Sequence, residues 1–236
     1  MEVDRSGGKK DIDGERPVIV SWDTCTMRGV LAFGTTERLL AEEYFESVKG
    51  HTGWLMPRMD FAMKDLGLSP SDIDYVAVGI GPGTFTGVKV GVASAKAVAF
   101  GLRKPLLGMP TLDVLAAAAP STADIVLSTI DARRGQLYAA VYKQDGGRRE
   151  SVTDFACLTV DEVAHKVTAI GFRELAMVGE SPAGLTNALR KSGTVVTVED
   201  SYPSGPILHE LAHEMVRAGV MSDALSVSPI YLKKPT

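Results

Sequence analysis

Two stretches of this chain hold residue types at spacings that could do chemistry. His209, Glu210 and His213 stand in the order H-E-x-x-H. On a helix the two histidines share a face one turn apart, as zinc ligands do, with the glutamate placed as a base. A zinc protease needs a third protein ligand, and after Glu214 the only side-chain carboxylate is Asp223. An amphipathic helix burying Leu208, Leu211, Ala212 and Met215 accounts for the same residues more simply. The second stretch, GIGPGTFTG at residues 79–87, joins an apolar run to a helical pattern. Gly81 and Gly83 allow backbone conformations closed to other residues, Pro82 stiffens the turn, and Thr84 and Thr86 can cap a helix. Free N–H groups at a helix start attract anions. The stretch reads either as a phosphate-facing loop or as a tight, capped strand-to-helix turn. It does not match the GxxxxGK[ST] pattern of a P-loop.

These residues need a frame. Residues 18–23, 29–34 and 38–45 read as strands joined by short polar turns, which favours antiparallel pairing. A helix is expected over 51–66, a buried strand over 75–80, a helix to about 101, and a strand from Pro105. The same order returns in the second half. Strands are expected at 125–132, 135–143 and near 150–157. A helix starts at Thr159, which stands in capping-box spacing with Glu162. Further strands are expected at 175–179 and 194–198, helices from Ser181 and over 206–218, with Pro206 in the first turn of the last. Two consecutive βββαβα units predict an α/β protein of two related subdomains with mixed sheets flanked by helices. The expected division is a loose tail at 1–16, a first subdomain at 17–111 and a second at 112–205, with 206–236 returning to the first.

Two helical faces suggest a partner surface. Gly87, Gly91, Ala95 and Ala99 recur every four residues and make a thin face open to close backbone approach. On the helix at 51–66, Leu55, Ala62 and Leu66 form a stripe suited to the core, while Met56, Met59 and Met63 form a neighbouring stripe of adaptable side chains. Each face suits either its own sheet or another subunit. The interface set read from them is Met56, Met59, Met63, Gly87, Val90, Gly91 and Ser94.

Composition narrows the function classes. Of 236 residues, 45% are hydrophobic and 23% charged, as in folded globular proteins. A net charge of −4 without a strongly basic run argues against tight, unaided binding to nucleic acid. Uninterrupted apolar runs fall short of the ~18 residues that cross a bilayer, so no membrane role is expected. The polar start fits the cytoplasm rather than a secretory leader. Cys25 and Cys157 are too few for a disulfide framework or a zinc knuckle.

Taken together, several motifs resemble those of the TsaB (YeaZ-type) family of tRNA-modification subunits. The segment at 79–91 is similar to the family's GxGPGSFTGxRxG, with Thr84 for the usual serine and Lys89 for the usual arginine. VIVSWDTCT (18–26), HTGWLMPRMD (51–60), IDARRGQLYAAVY (130–142) and PIYLKKP (229–235) resemble further family motifs in order. The resemblance implies two RNase H-like subdomains of the actin-like ASKHA group and a role beside TsaD, which transfers threonylcarbamoyl to the adenosine next to the tRNA anticodon. It implies a TsaE-like ATPase as a further partner, tRNA contact only through the complex, and self-pairing as an option for the lone chain. ATP or ADP could sit at the TsaD junction. On this fold Asp23 and Thr24 would form a first phosphate loop, with Gly81, Gly83 and Thr84 as the other phosphate-facing candidates. Cys25 stands where that loop usually has glycine, and VGESPAG (178–184) lacks the paired glycines that hold an adenosine. The histidine pair by which TsaD holds its metal is reduced to His51. The expectation is therefore a non-catalytic subunit with no catalytic residues and no metal. The alternatives are an autonomous actin-like ATPase or kinase and, more remotely, the zinc protease.

Overall fold

The computed structural model describes residues 17–46, 53, 55–145, 148–220 and 222–233. The tail at 1–16 and His51 lie outside these residues. The first sheet contains β1 (Ile19–Asp23), β2 (Arg28–Gly34), β3 (Leu39–Glu46), β4 (Tyr75–Gly79) and β5 (Leu106–Met109) in the order β3-β2-β1-β4-β5. The β1–β2 and β2–β3 pairs are antiparallel, whereas β1, β4 and β5 run parallel. The second sheet repeats this plan with β6 (Ile125–Arg133), β7 (Gln136–Asp145), β8 (Arg148–Ser151), β9 (Ala156–Thr159), β10 (Glu174–Gly179) and β11 (Val195–Asp200). Its order is β11-β10-β6-β7-β8, with β9 also on β7 and β6, β10 and β11 parallel. Two sheets of this order and sense are two RNase H-like subdomains, the doubled unit of the actin-like fold.

The helices divide between outer and inner faces. α1 (Leu55–Asp65) and α2 (Phe85–Leu102) cover the outer face of the first sheet, where Leu55, Met59, Ala62, Ala95 and Ala99 pack with Trp22, Leu31 and Val78. α4 (Val160–Ile170) and α5 (Ala183–Lys191) cover the outer face of the second. Between the sheets lie α3 (Thr111–Ala117), against β6, and α6 (Gly205–Arg217), against β1 and β2. Thr159 and Glu162 form the expected capping box. The final segment crosses both units. Ala224 and Val227 join the first core, the Ile230 N–H donates to the Ile80 carbonyl at 2.8 Å, and Leu232 packs on the core of the second sheet.

Two expectations are corrected. The single strand expected near 150–157 is two strands, β8 and β9, that pair with opposite ends of β7. Between them Val152 N–H reaches back to the Val141 carbonyl, and Val141 N–H donates to the Thr153 hydroxyl. The short helix α3 was not expected, because five of its seven residues are buried and it carries no polar face to mark a period. α2, at 18 residues, is by length and composition long and apolar enough to cross a membrane. Lys89 and Lys96 lie within it, so it is not an uninterrupted apolar run. Its Gly87, Gly91, Ala95 and Ala99 stripe is buried in the protein's own core.

Candidate functional site

The chain between β1 and β2 turns beneath the loop that leads into α2. Asp23, at the end of β1, is fully buried. Its Oδ1 accepts the Cys25 N–H at 2.7 Å and its Oδ2 accepts the Thr111 hydroxyl at 2.9 Å. Burial raises the Asp23 pKa, opposed in part by those two hydrogen bonds. Thr24, equally buried, donates its hydroxyl to the Gly87 carbonyl at 2.6 Å. The Cys25 carbonyl accepts the Thr84 N–H at 2.7 Å. Burial, and then the charge of Asp23, push the Cys25 thiol well above its ordinary pKa.

Glycines make this closeness possible. A methyl group at Gly79 would collide with the Asp23 carboxylate, one at Gly83 with the Cys25 carbonyl, and one at Gly87 with the Thr24 carbonyl. Gly81 has φ 92°, a left-handed conformation that favours glycine. It donates to Thr111 Oγ1 at 3.3 Å, and the Ile230 carbonyl lies over it. Thr84 caps α2, its hydroxyl accepting the Gly87 N–H.

An open cleft of about 500 Å³ lies on the other side of this loop, between the subdomains. Gly83, Thr84 and Phe85 form one wall, the β6–β7 turn with Asp131, Arg133 and Arg134 another, and Tyr231 and Lys233 the rim. Arg133 reaches across, with Nη2 3.3 Å from Met27 Sδ and Nη1 3.2 Å from Asp131 Oδ2. Arg133 and Arg134 take φ of 64° and 57°, and Gly135 follows at 72°. Left-handed backbone at a non-glycine residue costs on the order of 1 kcal/mol or more. Beneath the turn, the Asp131 N–H donates to Glu180 Oε2 at 2.6 Å and the Thr129 hydroxyl to the Glu180 carbonyl at 2.7 Å. These bonds tie the 178–184 stretch to β6 rather than leaving it free to cradle a ring.

Of the five phosphate-facing candidates, only Gly83 and Thr84 line the cleft. Asp23, Thr24 and Gly81 are turned inward, because their polar atoms bond to α2 and α3. The interface set divides as well. Met59 is a core residue at 7% exposure, and Gly87 and Gly91 face Thr24 of the same chain. The thin face of α2 therefore serves its own β1–β2 turn. Met56 is exposed, and Met63, Val90 and Ser94 are half-buried. The sequence marks Arg133, Arg134 and Lys233 only as parts of family motifs. An Arg-Arg-Gly turn between two strand patterns was the available signal.

On α6, His209 packs against Gly34 with Nδ1 buried and without a hydrogen-bond partner among the described residues, and its ring centre lies 6.1 Å from that of His213. Among the described residues, no group of three His, Cys, Asp or Glu side chains is placed to hold a metal ion.

Comparison with known proteins follows the same lines. The family model described as TsaD, tRNA N6-adenosine threonylcarbamoyltransferase, matches residues 40–220. The Escherichia coli tRNA threonylcarbamoyladenosine biosynthesis protein TsaB is 29% identical over 186 residues, 78% of this chain and 80% of that protein. The Bacillus subtilis protein of the same name is 31% identical over 134 residues, which are 57% of this chain and 58% of its relative. The solved structure of YeaZ from Pseudomonas aeruginosa superposes with a TM-score of 0.77 at 25% identity, over 92% of this chain and all of that one.

Proposed function

Because the chain belongs to the TsaD, tRNA N6-adenosine threonylcarbamoyltransferase, family and is of the TsaB/YeaZ type, we propose that it serves tRNA threonylcarbamoyladenosine biosynthesis in the cytoplasm as a non-catalytic partner of a TsaD-like paralogue. The burial of Asp23 carries the non-catalytic reading. A carboxylate that handles a phosphate or a metal must face the cleft, and both oxygens of Asp23 are taken by Cys25 and Thr111 inside the protein. What an active relative would aim at a ligand here braces the joint between β1, α2 and α3.

The pairing surface we assign is the outer face of α1 and α2. Only 33% of α2 is buried although the helix is apolar on average. Phe100 is 72% exposed on it, and Phe61 and Met56 are exposed on α1. Apolar surface of this kind marks a site for another protein. The same face would support self-pairing when the paralogue is absent. A TsaE-like ATPase would join the pair, with ATP or ADP at the junction. Tight tRNA binding is left to the complex, since a chain of net charge −4 neutralises few phosphates by itself.

Reconstitution tests this. The chain is combined with its cognate TsaD-like and TsaE-like proteins and threonylcarbamoyl-AMP synthase, and modified adenosine is measured with and without it. Modification is expected to require the chain. Equal modification in its absence would sink the proposal.

A further inference from the structure

A second groove, of about 540 Å³, is lined by α3, α6, β7 and β8. It shares no lining residue with the cleft at the start of α2, and α1 and α2 take no part in it. Three carboxylates line it from two helices, Asp113 on α3 and Glu210 and Glu214 on α6. The one cation in its lining, Arg149, is held on neutral partners. Its guanidinium donates to the carbonyls of Ala119, Pro120 and Ala123 at 3.0, 2.7 and 3.1 Å, just past the end of α3.

The helix α6 gains little from its two acids. Glu210 and Glu214 stand one turn apart, where like charges repel. Glu214 also lies in the last turn of α6, the end of a helix that favours cations. Both residues are exposed, and neither side chain makes a hydrogen bond or an ion pair among the described residues. Asp113 has only a neutral partner, the hydroxyl of buried Tyr142, which donates to its Oδ1 at 2.7 Å. Burial raises the Asp113 pKa and that bond opposes the rise. Aliphatic side chains supply much of the remaining lining, among them Ala117, Leu211, Met215 and Val220, the last 45% exposed. Carboxylates without a counter-charge beside aliphatic surface complement a long alkyl stem with a cationic tip, which is the build of lysine.

We propose that the groove between α3 and α6 docks a partner protein through a lysine-bearing segment, with the ammonium among Asp113, Glu210 and Glu214 and the segment's apolar neighbours on Leu211, Met215 and Val220. The surface is separate from the outer face of α1 and α2, so such a partner can be held while that face is occupied. The inference goes beyond the pairing role. Its test uses the full chain alone, and its failure would leave that role untouched.

Titrations followed by backbone amide NMR would use three probes: the blocked peptide Ala-Leu-Lys-Ala-Leu, the same peptide with norleucine in place of lysine, and spermidine. Saturable binding of the lysine peptide is expected, with shifted amides confined to α3, α6, β7 and β8, and the norleucine peptide should bind at least about tenfold more weakly. The double variant Glu210→Gln, Glu214→Gln should weaken the lysine peptide by a similar factor. Glu174→Gln, which removes an exposed acid outside the groove, should leave it unchanged. All three substitutions are at exposed positions, and an unchanged melting temperature would show that the variants fold. The proposal is overturned if the lysine peptide does not saturate, if norleucine serves as well as lysine, or if the double variant binds like wild type. An equal loss in Glu174→Gln would overturn it too, by reducing the effect to general attraction to an acidic protein. Binding of spermidine without the peptide would make the groove a site for small cations and not a docking surface.

Discussion

The Thr111 hydroxyl donates to Oδ2 of Asp23 at 2.9 Å, joining two buried residues 88 positions apart. Asp23 ends the central strand of the first sheet, and Thr111 begins the helix that packs on the second. A carboxylate at the place where the fold could have presented one to a ligand instead fastens the subdomains together.

That relation predicts unequal effects at position 23. Asp23→Ala orphans the Cys25 N–H and the Thr111 hydroxyl, at about 1–3 kcal/mol for each group. Asp23→Asn keeps the shape and an acceptor and removes a buried charge, so at neutral pH it should be neutral or stabilising. Urea unfolding measures both. A loss of more than about 2 kcal/mol in Asp23→Asn would mean that the charge itself is required.

The pH dependence of that group follows from burial. Its folded pKa is raised above the ordinary 3.8, so between the unfolded and folded values the native state holds the extra proton. The stability contributed by the neutral form is present below the unfolded value and is lost as pH rises through the folded one. Unfolding free energies of wild type and Asp23→Asn, measured across the acid range, should diverge as pH rises. Parallel curves would contradict this.

His209 behaves in the opposite sense. Burial, and then the nearby His213, lower its pKa from the ordinary 6.5. Its contribution is present above 6.5 and is lost as pH falls toward the folded value. His209→Phe removes both the titration and the unpartnered Nδ1, so the fall in stability between about pH 8 and about pH 5 should flatten. An unchanged profile would assign the acid sensitivity to other groups.

Two glycines of α2 should respond oppositely to alanine. At Gly87 the added methyl meets the Thr24 carbonyl, a backbone atom that cannot step aside. Overpacking of this kind costs about 1–3 kcal/mol. At Gly101 it meets nothing within 4 Å, and Gly→Ala in a helix gains roughly 0.5–1 kcal/mol. Thermal melting of the two variants decides it, and destabilisation at both would count against the packing described here.

The pairing face can be separated from the core within one helix. Met56→Glu and Phe100→Glu place charge on exposed positions and should abolish co-purification with the TsaD-like partner while the circular dichroism spectrum is kept. Met59→Glu buries a charge and should unfold the chain. Intact pairing in the two exposed variants would move the interface elsewhere.

The sequence by itself determined the order of elements, their repetition and the kind of turn at 79–87. These are local: alternation and apolar runs set strands, and Thr159 with Glu162 sets a helix start through neighbouring atoms. Family membership was legible for the same reason, since its motifs are contiguous strings such as residues 79–91 and 229–235. Tertiary structure decided what those residues do. A fourfold repeat of small residues in α2 states that something approaches closely, but only packing shows it to be Thr24 of the same chain. Likewise, Met56 and Met59 differ by less than one turn, and packing on the first core buries Met59 while Met56 stays exposed. Asp23 could face a cleft or a core until Thr111, supplied from 88 residues away, turned it inward. The cleft itself arises from the β6–β7 turn, the start of α2 and the final segment, three stretches that meet only when the chain closes.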